Sequence, residues 1–504
     1  MRPNIVLIMT DQQRWDTLGA AGYPYMITPH LDTLCRGGVT FTSAFAPAAT
    51  CIASRAALFT GMYPHNTGVY SFNPWAHHDT WIHDLAEQGY YCANIGKMHT
   101  SPIFDPNGFH ERQIVENKCE DFHKMGMEED EWGRFLLSHG LKRPLNRAEM
   151  YDDWKNRLNA TAWEYEDAFH SDWFTGDLAV SWIQKWDRRQ PLFLQIGFPG
   201  PHEPYDPPQR FLDLYRDVDV PGPIYTDSEL AYQPPQHMAH KESFQTTTQS
   251  SVINFEGASD EQIKDMRKHY YANITLIDQK IGEILTALDQ QGVLDNTVLI
   301  FTSDHGDCLG DHRLPYKWLM YDPMVHVPLI IRDFRTSTPS TATFCDDLVS
   351  LIDIGPTILR YAGLAIPTCL EGNPLNEAQP SGDPASGRNY VFCEDNYLVM
   401  IRSKAYKMVY YIAQEYGELY DLTQDPHELR NMWNNPEFQA VKCHLKNDLL
   451  DWLAKSNYFN AGYKHSRARH YRIRWPNRDG YGVRLHGQPF EQGGNEPDDD
   501  IKTC

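Results

Sequence analysis

The sequence predicts an α/β protein: a large, mostly parallel central sheet sandwiched by helices, then a smaller C-terminal subdomain built on an antiparallel sheet, then an extended tail. Three observations lead there. Apolar runs at Ile5–Met9, Leu192–Phe198, Val298–Thr302 and Val327–Ile331 are continuous rather than alternating, as expected of parallel strands covered on both faces. Glu261–Gln290 places Ile274, Ile277, Ile281, Leu285 and Leu288 on one helical stripe, which Gly292 can end just before Val298–Thr302, giving an α/β unit. After a stretch rich in Pro, Gly, Ser and Ala at Asn373–Arg388, the chain from Tyr390 to Tyr411 alternates aromatic and β-branched residues, the pattern of a small antiparallel sheet.

In chain order, Ile5–Met9 opens the sheet. Thr28-Pro29, with Leu31, Leu34 and Gly37-Gly38, reads as a short helix with proline at its first position and glycine at its stop. A second helix is expected from Thr50 to a stop at Gly61. Cys51 then sits in its first turn, where free N–H groups favour negative charge, and Arg55 lies one turn on along the same face. Tyr90–Ile95 reads as another strand. Residues 108–190, dense in charged and aromatic side chains, are expected to decorate the sheet, and the Pro-, Gln-, Ser- and Thr-rich residues 206–258 to form long ordered loops. From Ser456 to Asp498-Asp499-Asp500 the composition is that of a tail, disordered or docked on a neighbouring subunit. Its Tyr463, Tyr471, Trp475 and Tyr481 are expected to anchor it by packing or to cap a neighbour's pocket. The expected division is 1–375, 376–455 and 456–504.

A chain of 504 residues is long enough for a large core, and its formal charge of −22 argues against a nucleic-acid partner. An anionic ligand would need a local basic cluster to override that field. No apolar run reaches membrane-span length, and Met1-Arg2-Pro3 lacks the flanks of a secretion signal, so no membrane partner and a cytoplasmic location are expected. The ten cysteines show no CxxC pair, in keeping with a reducing compartment.

The chemistry gathers at strand ends. Asp11-Gln12 and Asp304-His305-Gly306-Asp307 follow two of the strands, and if these are neighbours Asp11, Asp304 and His305 converge. Two carboxylates and one imidazole suit Ca²⁺, Mg²⁺ or Mn²⁺ better than zinc. Gly96-Lys97-Met98-His99 and Pro201-His202-Glu203-Pro204-Tyr205 follow two further strands, and Lys317 precedes Val327–Ile331. Taken singly, each motif reads as well as a helix cap, a surface lysine or a surface histidine, and Cys51 as well as a reduced cysteine at a helix start.

Together and in order, these motifs resemble the formylglycine-dependent sulfatases of the alkaline phosphatase superfamily. The resemblance rests on P-N-I-V-L-I-M-T-D at Pro3, C-I-A-S-R at Cys51, G-K-M-H at Gly96, P-H-E-P-Y at Pro201, S-D-H-G-D at Ser303 and E-L-Y-D-L at Glu418. It implies hydrolysis of aryl or alkyl sulfate monoesters through a covalent sulfated intermediate, with Cys51 converted to formylglycine by a formylglycine-generating enzyme. It further implies one divalent metal, Mn²⁺ or Ca²⁺, on Asp11, Cys51, Asp304 and His305; catalytic roles for Cys51, Arg55, Lys97, His99, His202 and Lys317; and substrate contacts from Gln12 and Asn73. A homodimer or homotetramer is expected. Gln12 and His305 stand where many family members carry Asp and Asn, and this combination is similar to the branch with phosphonate monoester hydrolases, choline sulfatases and some arylsulfatases. The less anionic site favours manganese. Lys97 and His99 are the sulfatase choice, so sulfate is the expected ester, with phosphonate monoester or phosphodiester hydrolysis as the alternative. A non-catalytic sulfate or sugar binder on the same fold is the third possibility, and the intact set of Cys51, Arg55, His99 and His202 counts against it.

Overall fold

The computed structural model describes residues 2–460 except 72, 76–77, 117–128, 145–146, 188, 248–250, 337–341 and 376–386, together with 484–485 and 488–489. Nine strands make the main sheet: β1 (Asn4–Asp11), β2 (Val39–Phe45), β3 (Tyr91–Gly96), β4 (Glu111–Gln113), β5 (Leu192–Pro201), β6 (Thr297–Ser303), β7 (His326–Asp333), β8 (Thr343–Cys345) and β9 (Val349–Ser350). Their spatial order is β4-β3-β5-β1-β6-β7-β2-β8, with β9 also paired to β2. β1 is central and parallel to both neighbours, with Leu7 opposite Gln195 on one side and Ile300 on the other. The strand ends that carry Asp11, Lys97, His202 and Asp304 therefore open on the same edge of the sheet.

β1 is buried throughout, and its alternate residues enter different cores. Val6 and Ile8 pack with Ala179 and Ile183 of the helix Ser171–Lys185 and with Ile274, Ile277 and Ile281 of the helix Asp260–Gln290. Ile5, Leu7 and Met9 pack with Ile52, Ala56 and Phe59 of the helix Cys51–Thr60 and with Ile354 and Ile358. This two-sided cover is why the strand reads as a continuous apolar run. The 31-residue helix Asp260–Gln290 begins at a capping box, with Ser259 accepting from the Gln262 N–H and the Gln262 side chain returning to the Ser259 backbone.

Several expectations change. Val327–Ile331 was expected to be parallel, but β7 runs antiparallel to both β6 and β2. All eight of its residues are buried, so its composition reports cover on both faces and not direction. Residues 108–190 do more than decorate, since they supply the edge strand β4 and the covering helix Ser171–Lys185. Residues 206–258 contain the 12-residue helix Pro235–Thr246. Cys369 is in a disulfide bond, which the cysteine spacing did not announce, while Cys35, Cys51, Cys92, Cys308, Cys345, Cys393 and Cys443 are free thiols. Most of the expected linker and the tail beyond residue 460, with Tyr463, Tyr471, Trp475 and Tyr481, lie outside the described residues. Among the described residues no helix is long and apolar enough to cross a membrane.

The expected antiparallel sheet is a meander of β10 (Val391–Asp395), β11 (Leu398–Arg402), β12 (Tyr406–Tyr411) and β13 (Gly417–Asp421). One face packs on Leu445 and Leu449 of the helix Gln439–Asn460. The other meets the first body through buried charges. Asp322, just before β7, pairs with Arg402 at 2.9 Å and Lys407 at 2.8 Å, and Lys407 also reaches Glu428 at 2.5 Å. Lys407→Met leaves Glu428 without its counter-ion in a site shut off from water. We expect a loss of about 3–5 kcal/mol, the usual cost of breaking a buried ion pair, measured by urea unfolding at neutral pH.

Candidate active site

The helix Cys51–Thr60 is buried at every position and ends at Gly61, whose φ of 71° and N–H bond to the Ala57 carbonyl are a left-handed cap. Thr50 precedes it but does not cap it with its side chain; its hydroxyl donates instead to Asp395 at the end of β10. The first turn thus faces the ends of β1, β3 and β6. Ser54 Oγ donates to the Asp304 carbonyl at 2.6 Å, pinning the helix to the loop after β6.

Arg55 lies at the centre of this junction. Its Nε donates to Asp304 Oδ2 at 2.7 Å, and its terminal nitrogens donate to the carbonyls of Lys97 at 3.0 Å and Thr10 at 3.4 Å, with Asp11 Oδ2 also at 3.4 Å. Lys97 Nζ pairs with Asp11 Oδ2 at 2.8 Å. Burial alone would raise the Asp11 carboxyl, but Lys97, His202, Lys317 and Arg55 outweigh it and hold the group well below the ordinary range. At the turn into Lys97, β3 and β5 approach so closely that a Cβ on Gly96, at φ 88°, would fall 2.1 Å from the Gly197 carbonyl oxygen.

Lys317 Nζ lies 3.7 Å from Cys51 Sγ and 3.3 Å from His305 Nε2, and among the described residues no carboxylate is within ion-pair distance of it. Burial would raise the Cys51 thiol, yet Lys317, a hydrogen bond with His305, and Lys97 bring it below the ordinary thiol value. Ligating atoms of Asp11, Cys51 and His99 lie within 4.8 Å of one another. His99 has φ 62° and is held through its backbone, its N–H donating to Glu116 Oε1 at 3.1 Å and its carbonyl accepting from Trp75 Nε1 at 3.3 Å. Burial and the Lys97 charge lower its imidazole to about 4, so the ring is neutral and able to accept a proton. His202 is the exposed member of the set, its side chain 24 % open. Burial and Lys317 depress it well below the ordinary histidine value.

Asp11, Asp304 and His305 offer ligand atoms within 4.8 Å of one another. His305 Nδ1 donates to the Gly306 carbonyl at 2.8 Å, which turns Nε2 to within 3.8 Å of Asp11 Oδ1 and of Asp304 Oδ1. Asp11 Oδ1 and Gln12 Oε1 are buried oxygens with no hydrogen-bond partner. Gln12 is held with its oxygen free because its Nε2 donates to Glu203 Oε2 at 2.9 Å and Asp307 Oδ2 at 2.6 Å. Buried oxygens left without donors beside an imidazole nitrogen fit a divalent cation.

Cys51, Arg55, Lys97, His99, Lys317, Asp11, Asp304, His305 and Gln12 are thus brought together, with His202 at the rim. Asn73 is exposed, its N–H donating to the Ser71 carbonyl and its Oδ1 accepting from the Ser71 N–H. Several supports were not singled out from the sequence. Tyr270 accepts from the Arg14 N–H at 2.9 Å and donates to the Gln12 carbonyl at 2.7 Å, buttressing the loop after β1. Glu203 and Asp307 stand inside motifs that were read for their histidines and ligands, so the signal was present but unassigned. Lys317 rides on a loop in which Leu309, His312, Arg313, Tyr316 and Trp318 all have positive φ. That strained course is held by Asp311, which receives Arg14 at 2.7 Å and Arg267 at 2.6 Å.

Residues 3–364 match the sulfatase family model. The chain belongs to the sulfatase family. It is a sulfuric ester hydrolase. Residues 310–455 also match a family described as N-sulphoglucosamine sulphohydrolase, C-terminal. This sulfatase is 30% identical to an arylsulfatase of Clostridium perfringens (strain 13 / Type A), over 94% of this chain and 100% of that one. It is 27% identical to a choline-sulfatase of Rhizobium meliloti (strain 1021), over 97% and 94% of the two chains. A phosphonate monoester hydrolase of Agrobacterium radiobacter superposes with a TM-score of 0.75 at 26% identity, covering 96% of this chain and 99% of that one.

Asp311→Asn leaves Arg14 and Arg267 facing a neutral amide, and we expect a loss of about 3–5 kcal/mol at neutral pH. Although burial opposes it, Arg267 and Arg14 depress the Asp311 carboxyl in the folded state. Its stabilisation is therefore complete above the unfolded carboxyl value of about 4 and fades as pH falls below it. Thermal unfolding from pH 7 to pH 3 should show a steeper acid loss for the native protein than for Asp311→Asn.

Proposed function

We propose that the protein hydrolyses aryl or alkyl sulfate monoesters with residue 51, as formylglycine, providing the nucleophile. The observation that carries this reading is Lys317 Nζ, a buried cation 3.7 Å from Cys51 Sγ with no carboxylate partner among the described residues. A fixed, desolvated ammonium beside the reactive side chain supplies the compensation that a transferring sulfuryl group requires. A formylglycine-generating enzyme makes the modification. Asp11, Asp304, His305 and residue 51 would hold a divalent metal, with Gln12 Oε1 a further neutral donor. When bound, that ion polarises the ester and favours the ionised nucleophile. Neutral donors in place of carboxylates put manganese ahead of calcium.

The remaining roles follow from position. Lys97 and Arg55 keep Asp11 ionised and orient both Asp11 and Asp304, so Arg55 acts through the carboxylates its nitrogens already engage. His99, neutral and beside Cys51, is placed to take a proton from the residue 51 side chain. His202, at the exposed rim, is placed to protonate the departing alcohol. The likeness to the phosphonate monoester hydrolase supports a second reading, hydrolysis of phosphonate monoesters or phosphodiesters by the same residues.

Cys51→Ala should lose roughly 10⁴-fold or more in kcat on nitrophenyl sulfate, the scale seen when a nucleophile is removed. Peptide mass spectrometry of active protein should find residue 51 converted; an active Ala variant would falsify the assignment. Turnover of nitrophenyl sulfate is expected to exceed that of a phenyl phosphonate ester, and a strong preference for the phosphonate would favour the second reading. Dialysis against a chelator should abolish turnover, with Mn²⁺ restoring it better than Ca²⁺.

A further inference from the structure

Trp318 follows the lysine that stands beside Cys51, and its backbone has φ 79°, a left-handed conformation that a bulky residue rarely adopts. Its N–H donates to the Ala49 carbonyl at 3.2 Å, which ties it to the segment leading into the Cys51 helix. The indole centroid lies 5.4 Å from Lys317 Nζ, the ammonium that is itself 3.7 Å from Cys51 Sγ. Around that lysine Cys51, His305, Tyr316 and Leu319 are buried, whereas Trp318 is half-buried. Trp318 and His202 are the side chains of this group that meet solvent.

The helix Pro235–Thr246 backs the ring. Phe244 stacks on it with 5.3 Å between centroids, within 18° of parallel, and His240 lies at 6.0 Å. Phe244 in turn meets Tyr316 edge-on at 5.1 Å. Two polar atoms of these neighbours are already engaged: His240 Nε2 donates to the Pro315 carbonyl at 2.9 Å, and the Tyr316 hydroxyl donates to the Ser251 carbonyl at 2.9 Å. A polyol would find little to bind on such a wall, while a flat apolar ring gives up no hydrogen bond there. A cationic alcohol would meet the charge of Lys317, which already occupies the field of the indole. The surface fits a neutral aromatic ring.

We propose that Trp318 sets the specificity for the leaving alcohol, its indole packing against the ring of an aryl sulfate while Lys317 holds the sulfuryl group. The inference rests on sulfate ester hydrolysis at residue 51 and narrows it to aryl esters. Displacement at sulfur sends the alcohol away from the nucleophile. With Asp11, Arg55 and Lys97 buried around Cys51, that direction is the solvent side, where His202 and Trp318 stand. The bond to Ala49 and the stack on Phe244 hold the indole in place, so the surface is formed before the ester arrives.

The test compares phenyl and naphthyl sulfates of matched phenol pKa, on full-length protein with conversion of residue 51, metal content and thermal unfolding matched to the native enzyme. The native enzyme is expected to favour the larger ring in kcat/KM. Trp318→Leu keeps an apolar side chain against Phe244 and removes the aromatic face. It should lower kcat/KM on the naphthyl ester by about 3- to 10-fold, the scale of an aromatic pair, mainly through KM. The loss on the phenyl ester should be smaller, and Trp318→Phe should recover part of the ring preference. Inhibition by inorganic sulfate, which carries no alcohol, should change by under about twofold in both variants. A role confined to holding Lys317 in place would instead weaken sulfate inhibition and cut both esters alike. That pattern, or a ring preference that persists in Trp318→Leu, would overturn the proposal. The same pair is run as phosphonate monoesters, so a failed sulfate preference and a failed role for Trp318 give different results.

Discussion

The arrangement depends on keeping the Arg55 guanidinium out of water. This group does not lose its proton in a protein, so full burial obliges the chain to surround it with acceptors. The acceptors come from Asp304, Asp11, and the carbonyls of Lys97 and Thr10, the ends of three different strands. Those strands must therefore stop at the same edge and at the same depth. Once they do, Asp11 and Asp304 are forced into proximity, Lys97 is needed to balance them, and the helix bearing Cys51 is fixed over the sheet. An acidic pair that would repel itself is made stable by the cation that also orients it.

The same economy governs the second body. Asp395 takes the Thr50 hydroxyl, and the Glu394 N–H donates to the Pro47 carbonyl, so the end of β10 braces the approach to Cys51. Buried Asp322, Lys407 and Glu428 lock the meander to the segment that enters β7. The small sheet is thus part of the support for residue 51. The acidic surface implied by a net charge of −22 coexists with buried Arg55, Lys97 and Lys317 at the centre because the first two are matched by Asp11 and Asp304 and all three are shielded from bulk solvent.

Much of this was legible in the sequence where a residue's neighbours along the chain determine its role. β1, β5, β6 and the helix Asp260–Gln290 follow from runs and spacings, and the Cys51 helix with its Gly61 stop follows from local caps. The direction of β7 was not legible, because burial on both faces leaves the same apolar imprint on either orientation. β4 has three half-buried residues and so carries little pattern of its own. The candidate site divides in the same way. Residues of the motifs converge as their order implies, but Arg55 engages carboxylates and carbonyls already in the protein, which its type alone does not show. Glu203 and Asp307 reach Gln12 across 191 and 295 residues of chain, separations at which a single sequence gives no pairing signal.

Cys51 is only 5 % exposed, within a helix buried at every position. A processing enzyme that had to close around several residues of this segment would find no access in the finished molecule. The modification proposed for residue 51 would therefore have to be made while the chain is still open, in competition with its own collapse. The proportion of competent molecules would then be set once, during synthesis, and a folded protein that missed the event would stay as it is until it unfolds.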